Sequence, residues 1–160
     1  MTGRVVAIFT APAGGAPMVA HDQCTATGAG IAGDRYAAKT GTYSARAGRG
    51  REITLIAREA VVAANREGVT IGEGETRRNF VTEGVDLDAL VGKTFAIGDV
   101  TLLGVRDCPP CAYLEGLTRP GVKDALEGGG GLRAEVVRDG VVRVGDDVRE
   151  VSESEPRRAS

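Results

Sequence analysis

Two cysteines, Cys108 and Cys111, are separated by two prolines in the segment Arg-Asp-Cys-Pro-Pro-Cys-Ala-Tyr-Leu-Glu over 106–115. A thiolate is a nucleophile and a soft metal ligand, so a thiol pair on a proline-stiffened turn indicates sulfur or metal chemistry. The chain has one other cysteine, Cys24. We therefore take the segment 106–115 as the centre of the candidate site.

The residues alone leave three interpretations of this pair open. Thioredoxin-type exchange needs a βαβ setting, whereas the neighbouring segments here carry hairpin signals. A structural zinc site needs four ligands, which His21 and Cys24 would complete together with Cys108 and Cys111. In the third interpretation the two cysteines are simply small buried hydrophobic residues at a turn.

A second set of candidate residues is basic. Arg77, Arg78 and Asn79 are consecutive, and Arg133 follows the glycine run at 128–131. Guanidinium groups donate hydrogen bonds in pairs to oxyanions, and glycine lets backbone N–H groups approach a ligand closely. The pattern predicts an anion-binding pocket, although a solvated strand edge beside a flexible loop fits the same residues.

Asp34 and Arg35 are adjacent in the motif Gly-Asp-Arg-Tyr. They form either a structural ion pair or a part of the site, and the residues favour neither. Both lie in the glycine-punctuated stretch 19–51, which shows little periodicity and which we predict to be one long loop. A loop of that length in a compact domain usually forms a functional surface.

The elements that position these residues are predicted from periodicity and turn signals. Cys108 should lie where a strand ends, and Cys111 where a helix begins after two prolines. Gly98-Asp99 and Asp139-Gly140 are each expected to turn a β-hairpin. We predict strands over 4–10, 52–56, 77–81, 95–97, 100–105, 132–137 and 141–144, a helix over 57–67, and one helical turn capped by Asp86 over 85–91.

Composition limits the classes of protein. The 160 residues include 24 glycines and few aromatic residues, which favours one β-rich domain over 1–150 followed by a polar, disordered tail over 151–160. The 20 basic and 22 acidic residues nearly cancel, so we expect neither nucleic acid nor a membrane as a partner. An odd number of cysteines and no leader-like N-terminus predict a cytoplasmic protein.

Taken in order, six parts of the chain resemble the MOSC domain, the family named after the C-terminal domain of molybdenum-cofactor sulfurases. The resemblance runs from about residue 4 to 149 and implies a stand-alone, bacterial-type member. It implies a mainly β fold with a few helices, built around a β-barrel. The matching parts are 30–36, 51–56, 77–87, 90–98, the Cys-Pro-Pro-Cys motif, and 130–134 together with 144–148.

The resemblance also implies roles for the candidate residues. The family's characteristic cysteine carries sulfur as a persulfide or ligates molybdenum, and by motif position this residue is Cys111, with Cys108 as a resolving or structural partner. Tyr36 stands where other members often have histidine, which puts a proton-transfer role there in doubt. The residues implied to hold the phosphate or oxyanion of a pterin cofactor are Arg77, Arg78, Asn79 and Arg133, together with Asp34 and Arg35.

Our leading hypothesis is a sulfur carrier or sulfurtransferase. Cys111 would accept sulfane sulfur from a separate pyridoxal-phosphate-dependent cysteine desulfurase and deliver it to a molybdenum cofactor or another metal–sulfur acceptor. Because the chain lacks a desulfurase domain, we expect no pyridoxal-phosphate site in it. The alternatives are a molybdenum-dependent reductase of N-hydroxylated substrates, with Cys111 as the metal ligand, and a non-catalytic zinc-stabilised binding module.

Overall fold

The computed structural model describes residues 3–38 and 52–151. The part of the predicted loop at 39–51 and the predicted tail at 152–160 lie outside the described residues. Strands dominate, accompanied by short helices. The strands are β1 Gly3–Thr10, β2 Val19–His21, β3 Gln23–Thr27, β4 Gly30–Ile31, β5 Ile53–Ala57, β6 Phe80–Glu83, β7 Thr94–Ile97, β8 Val100–Asp107, β9 Leu132–Arg138, β10 Gly140–Arg143 and β11 Asp147–Glu150.

The described helices lie between these strands. They are α1 Arg35–Ala38, α2 Arg58–Arg66, α3 Ala112–Leu117 and α4 Val122–Ala125, with short 3₁₀ turns at Gly74–Thr76 and Asp88–Leu90.

Seven strands close into a barrel in the order β11-β7-β8-β9-β5-β6-β1, because β1 pairs again with β11 through Gly3 and Val148. Closure removes the unpaired strand edges that an open sheet would expose. The parallel pair β5–β6 is connected by a crossover that contains α2, as parallel pairing requires. The prediction of a mainly β barrel with a few helices is confirmed.

Two hydrophobic clusters stabilise this arrangement. One lies inside the barrel and includes Leu55, Phe80 and Phe95, all with no exposed surface. The other lies between the barrel wall and the helices α2, α3 and α4, and it includes Ile56. Successive side chains of a strand point to opposite faces, so Leu55 and Ile56 reach different clusters from one strand. That is why the segment 53–56 is buried on both faces.

Several local predictions are confirmed. The strand at 4–10, the strand and helix over 52–67, and the hairpin at Gly98-Asp99 all appear, with Ile97 paired to Val100 across the turn. The predicted single loop over 19–51 is wrong in its described part, since β2, β3, β4 and α1 lie there. These strands have only two to five residues each, which is too short to show a period.

Three further predictions need correction. Asp139-Gly140 does not turn a hairpin, because β10 pairs with β3 instead of with β9. The turn near 85–91 is a 3₁₀ helix whose N-cap position is Leu87, so Asp86 is not its cap. The strand predicted at 77–81 begins only at Phe80, since Arg77 adopts a left-handed conformation with φ of 61°.

Asn79 ties three strands together immediately before β6. Its side-chain Oδ1 accepts hydrogen bonds from the backbone N–H (3.1 Å) and the hydroxyl (3.2 Å) of Thr54, and its Nδ2 donates to the carbonyl of Phe9 at 3.1 Å. Both Asn79 and Thr54 are fully buried. Asn79 therefore holds the barrel together rather than presenting its amide to a ligand.

We predict that Asn79→Ala destabilises the protein strongly. The change leaves the Thr54 N–H and the Phe9 carbonyl without side-chain partners, which should lower the free energy of unfolding by about 2–4 kcal/mol. Urea denaturation followed by circular dichroism measures this. Thr25→Ala, which removes an exposed hydroxyl from β3, is the control and should change stability by less than about 0.5 kcal/mol. Equal effects of the two changes would contradict the role given to Asn79.

Candidate active site

The cysteine segment leaves the barrel at the end of β8. Cys108 directly follows Asp107, its backbone N–H donates to the Gly131 carbonyl at 2.7 Å, and its side chain is buried. Cys111 takes the N-cap position of α3 with extended backbone angles and is half-buried. The predicted positions at a strand end and a helix start are confirmed. The two thiols therefore differ in accessibility, and Cys111 is the more accessible of the two.

Arg78 holds this segment in place through hydrogen bonds from its guanidinium group. Its Nε donates to the Gly130 carbonyl at 2.8 Å, its Nη2 to the carbonyls of Cys108 (3.0 Å) and Pro109 (3.4 Å), and its Nη1 to that of Thr76 (3.3 Å). The residue is 8% exposed. Its partners among the described residues are all carbonyl oxygens, so it positions the cysteine turn without pairing with a carboxylate there. It is a structural clamp more than a free donor to a ligand.

The glycine run supports the same turn by allowing close packing. A Cβ atom on Gly130 would lie 2.5 Å from both the Cys108 carbonyl oxygen and Pro110 Cδ. Gly131 has φ of +116°, and a Cβ atom there would lie 2.0 Å from the Leu55 carbonyl oxygen. No side chain fits at either position. We had expected these glycines to offer N–H groups to an anion, but what the structure shows is a role in packing the cysteine turn against β5.

Arg77 and Arg133 present the donors that Arg78 does not. Nη1 of Arg77 donates to the Ala16 carbonyl at 2.6 Å, whereas its Nη2 is buried and has no hydrogen-bond partner among the described residues. Nη1 of Arg133 is likewise buried and unpartnered within that part of the chain. Burial lowers the pKa of the Arg77 guanidinium, and the nearby positive charge of Arg35 acts in the same direction. A bound anion would relieve both effects.

Asp34 and Arg35 form a buried ion pair at the start of α1. Nη1 of Arg35 donates to Asp34 Oδ1 at 3.0 Å, and its Nη2 donates to the Arg77 carbonyl at 2.9 Å. The Arg35 guanidinium also stacks 4.3 Å from the centre of the Tyr36 ring. Asp34 in turn accepts the Ala11 N–H at 3.1 Å. The pair joins the end of β1 to α1 and supports Arg77 in its left-handed conformation.

These groups surround one cleft with a cavity volume of about 50 Å³. Four arginines and both cysteines of the motif line it, and none of the described residues lining it carries a carboxylate. A cleft lined by one sign of charge raises the local concentration of oppositely charged ligands. The lining residues are Gly14, Arg35, Tyr36, Arg77, Arg78, Cys108, Pro109, Cys111, Tyr113, Leu114 and Arg133.

The structure thus brings together most of the predicted site residues. Asp34 and Asn79 are the exceptions, since both are buried and neither lines the cleft. Sequence reasoning missed Gly14, Tyr113 and Leu114. Tyr113 and Leu114 follow Cys111 in α3, so a helix beginning at the cysteine was a usable signal for them. Gly14 comes from the loop after β1, and only the tertiary fold shows its proximity.

The zinc interpretation is not supported by the geometry. The described residues contain no group of three or more His, Cys, Asp or Glu side chains that could hold a metal ion. His21 instead pairs with Thr10 at 2.7 Å, and Cys24 packs against the interior of the barrel. Burial, with a smaller contribution from the charge of Asp34, raises the pKa of the Cys24 thiol to about 12. Cys24 is therefore a structural thiol.

Comparison with known proteins identifies the fold and the family. Residues 42–149, more than half of the chain, match the sequence profile of the MOSC domain. The chain belongs to the MOSC domain family. This family is associated with the molybdenum cofactor and with related sulfur-transfer and reductase functions. No curated protein matches the chain.

Solved structures share the fold of this MOSC domain at low sequence identity. The YuaD protein from Bacillus subtilis is 20% identical, with a TM-score of 0.75, over 92% of this chain and 94% of its own. YiiM from Geobacillus stearothermophilus is 16% identical, with a TM-score of 0.73, over 94% and 75% respectively. YiiM from Escherichia coli is 18% identical, with a TM-score of 0.64, over 98% and 72%.

The residues of this MOSC domain fit the anionic end of a pterin cofactor. Arg77 and Arg133 each offer a guanidinium nitrogen that has no partner in the described part of the chain, which suits a phosphate. Cys111 offers a soft sulfur ligand of the kind that transition metals prefer. Within the described residues, no helix is long and apolar enough to cross a membrane.

We predict that Cys111 is the first cysteine to be alkylated at pH 8. Cys108 is 1% exposed, and a pKa of about 12 leaves Cys24 almost entirely protonated and therefore unreactive. Limited treatment with iodoacetamide, followed by peptide mass mapping, should label Cys111 at least about tenfold faster than the other two. Urea-unfolded protein is the control, in which all three should react at similar rates. Preferential labelling of Cys24 in the folded protein would contradict the assignment.

Proposed function

We propose that this protein is a sulfur carrier in which Cys111 accepts sulfane sulfur and delivers it to a molybdenum cofactor or another metal–sulfur acceptor. The supporting observation is the half-buried Cys111 thiol in a cleft that contains four arginines and no carboxylate among its described lining residues. The sulfur donor in this proposal is the persulfide of a separate cysteine desulfurase.

The chemistry of loading needs only a thiolate at an accessible position. The Cys111 thiolate attacks the outer sulfur of the donor's persulfide, a new S–S bond forms at Cys111, and the donor's cysteine leaves as a thiolate. No external electrons are required. The persulfide on Cys111 is a stronger acid than a thiol, so at neutral pH it is an anion, and the surrounding guanidinium groups stabilise it.

The two cysteines of the motif differ in burial and in position. Cys108 is buried, and its backbone is held from both sides by the Gly131 carbonyl and the Arg78 guanidinium. Cys111 lies at the N-terminus of α3 and lines the cleft that contains the four arginines. We therefore assign the acceptor role to Cys111 and a packing role to Cys108.

Sulfur loading tests the proposal directly. After incubation with a cysteine desulfurase and cysteine, intact mass should rise by about 32 Da and return to its starting value after treatment with dithiothreitol. Cys111→Ala should abolish the adduct, whereas Cys108→Ala and Cys24→Ala should retain it. An adduct that persists in Cys111→Ala, or the absence of any adduct in the natural protein, would rule out the proposed acceptor.

A second candidate function keeps Cys111 but makes it a metal ligand in a reductase of N-hydroxylated substrates. The observation that favours it is a soft ligand in the same cleft as two guanidinium donors that lack partners among residues 3–38 and 52–151. A bound molybdenum cofactor would supply two-electron redox chemistry. In this alternative Arg77 and Arg133 would hold its phosphate, and Cys111 would supply a sulfur ligand to the metal.

Metal analysis separates the two candidates. If this protein is a reductase, material produced in cells with active cofactor synthesis should contain about one molybdenum per chain, and Cys111→Ala should lose most of it. A sulfur carrier should hold well under about one tenth of that amount after gel filtration. Arg66→Met, a change at an exposed arginine of α2, is the control and should not alter the metal content in either case.

A further inference from the structure

The cleft contains two polar groups that the described part of the chain leaves unsatisfied. Nη2 of Arg77 and Nη1 of Arg133 are both buried and lack a hydrogen-bond partner there. A buried N–H group of a cation without an acceptor is costly. Both arginines line the cleft that Cys111 also lines. The arrangement calls for an acceptor with at least two oxygen atoms, placed beside the thiol.

The size of the cleft restricts what this acceptor can be. One buried water needs about 10–15 Å³ of cavity volume, and the cleft offers about 50 Å³. It therefore has room for about three to five water-sized groups. A tetrahedral oxyanion has this size, and its oxygen atoms can accept hydrogen bonds from both Arg77 and Arg133.

We propose that the cleft binds thiosulfate, the simplest oxyanion that carries sulfane sulfur, and that Cys111 takes its outer sulfur. The inference rests on the proposed function and specifies a small-molecule donor for it. The three sulfonate oxygens accept hydrogen bonds from Arg77 and Arg133, while the outer sulfur faces the thiol. A single cleft thus supplies both anion recognition and the nucleophile.

The transfer balances without a further reactant. Cys111 loses its proton to solvent, and its thiolate attacks the outer sulfur of thiosulfate. A new S–S bond forms at Cys111 while the S–S bond of thiosulfate breaks, and the electron pair of that bond leaves with sulfite. The products are a persulfide on Cys111 and one sulfite ion. The guanidinium groups reduce the repulsion between the thiolate and the dianion, and they stabilise the departing sulfite.

The experiment compares two sulfur donors on the same protein. One arm contains thiosulfate alone, and the other contains a cysteine desulfurase with cysteine. We expect the thiosulfate arm to give an adduct of about 32 Da on Cys111 together with one equivalent of sulfite. Sodium sulfate should slow this arm by competing for the guanidinium groups, relative to sodium chloride at equal ionic strength.

Arg133→Met tests the anion site with little risk to the fold, since the Arg133 side chain donates no hydrogen bond to the described residues. Loading from thiosulfate should slow about 10- to 100-fold. Arg133→Lys should recover part of the rate because it restores the charge. Arg66→Met is the matched control and should leave both arms unchanged. Melting temperature confirms that each variant is folded.

The possible failures are distinguishable. An adduct from the desulfurase but none from thiosulfate overturns this inference and leaves the sulfur carrier intact. No adduct in either arm overturns both. Loading from thiosulfate at an unchanged rate in folded Arg133→Met, or without an effect of sulfate, overturns the anion site in the cleft.

Discussion

The guanidinium group of Arg78 is the interaction on which the site depends. It joins three separate stretches of chain by donating to the carbonyls of Thr76, Cys108, Pro109 and Gly130, and no carboxylate of the described residues pairs with it. Carbonyl dipoles satisfy its N–H groups but do not cancel its charge. A carboxylate partner would have held the cysteine turn equally well while neutralising the cleft. The choice of partners therefore couples the shape of the turn to the positive potential around Cys111.

Other contacts extend this clamp to the barrel. Gly131 allows the chain to pass against the Leu55 carbonyl on β5, and Gly130 allows it to pass against the cysteine turn. Elsewhere in the site, Arg35 donates a hydrogen bond to the Arg77 carbonyl and forms an ion pair with Asp34. Arg35 therefore has a structural role. Arg77 Nη2 and Arg133 Nη1, in contrast, are buried and have no partner among the described residues. Arg77 is intermediate, because its Nη1 donates to the Ala16 carbonyl while its Nη2 has no partner among the described residues.

How far the sequence predicts this arrangement differs between elements. The order of short motifs was enough to predict the family and the barrel. It also predicted that Cys111 lies near Arg77, Arg78 and Arg133, because members of a family with one fold place equivalent residues at equivalent positions. The structural role of Asn79 could not be predicted apart from the binding role of the neighbouring arginines. The left-handed conformation of Arg77 changes the course of the chain just before Asn79, and no residue type in this polar run indicates it. The strand β10 was assigned to the wrong partner because Asp139-Gly140 suits a hairpin locally, whereas the pairing with β3 is set by tertiary packing.

The central claim is that an anion and the reactive sulfur of Cys111 share one cleft through Arg77 and Arg133. A crystal structure of the natural protein, frozen after incubation with thiosulfate, tests it most directly. We expect additional density for one sulfur on Cys111 Sγ and an oxyanion within hydrogen-bond distance of Arg77 Nη2 and Arg133 Nη1. An unmodified Cys111, with the anion bound elsewhere or not at all, would contradict the account.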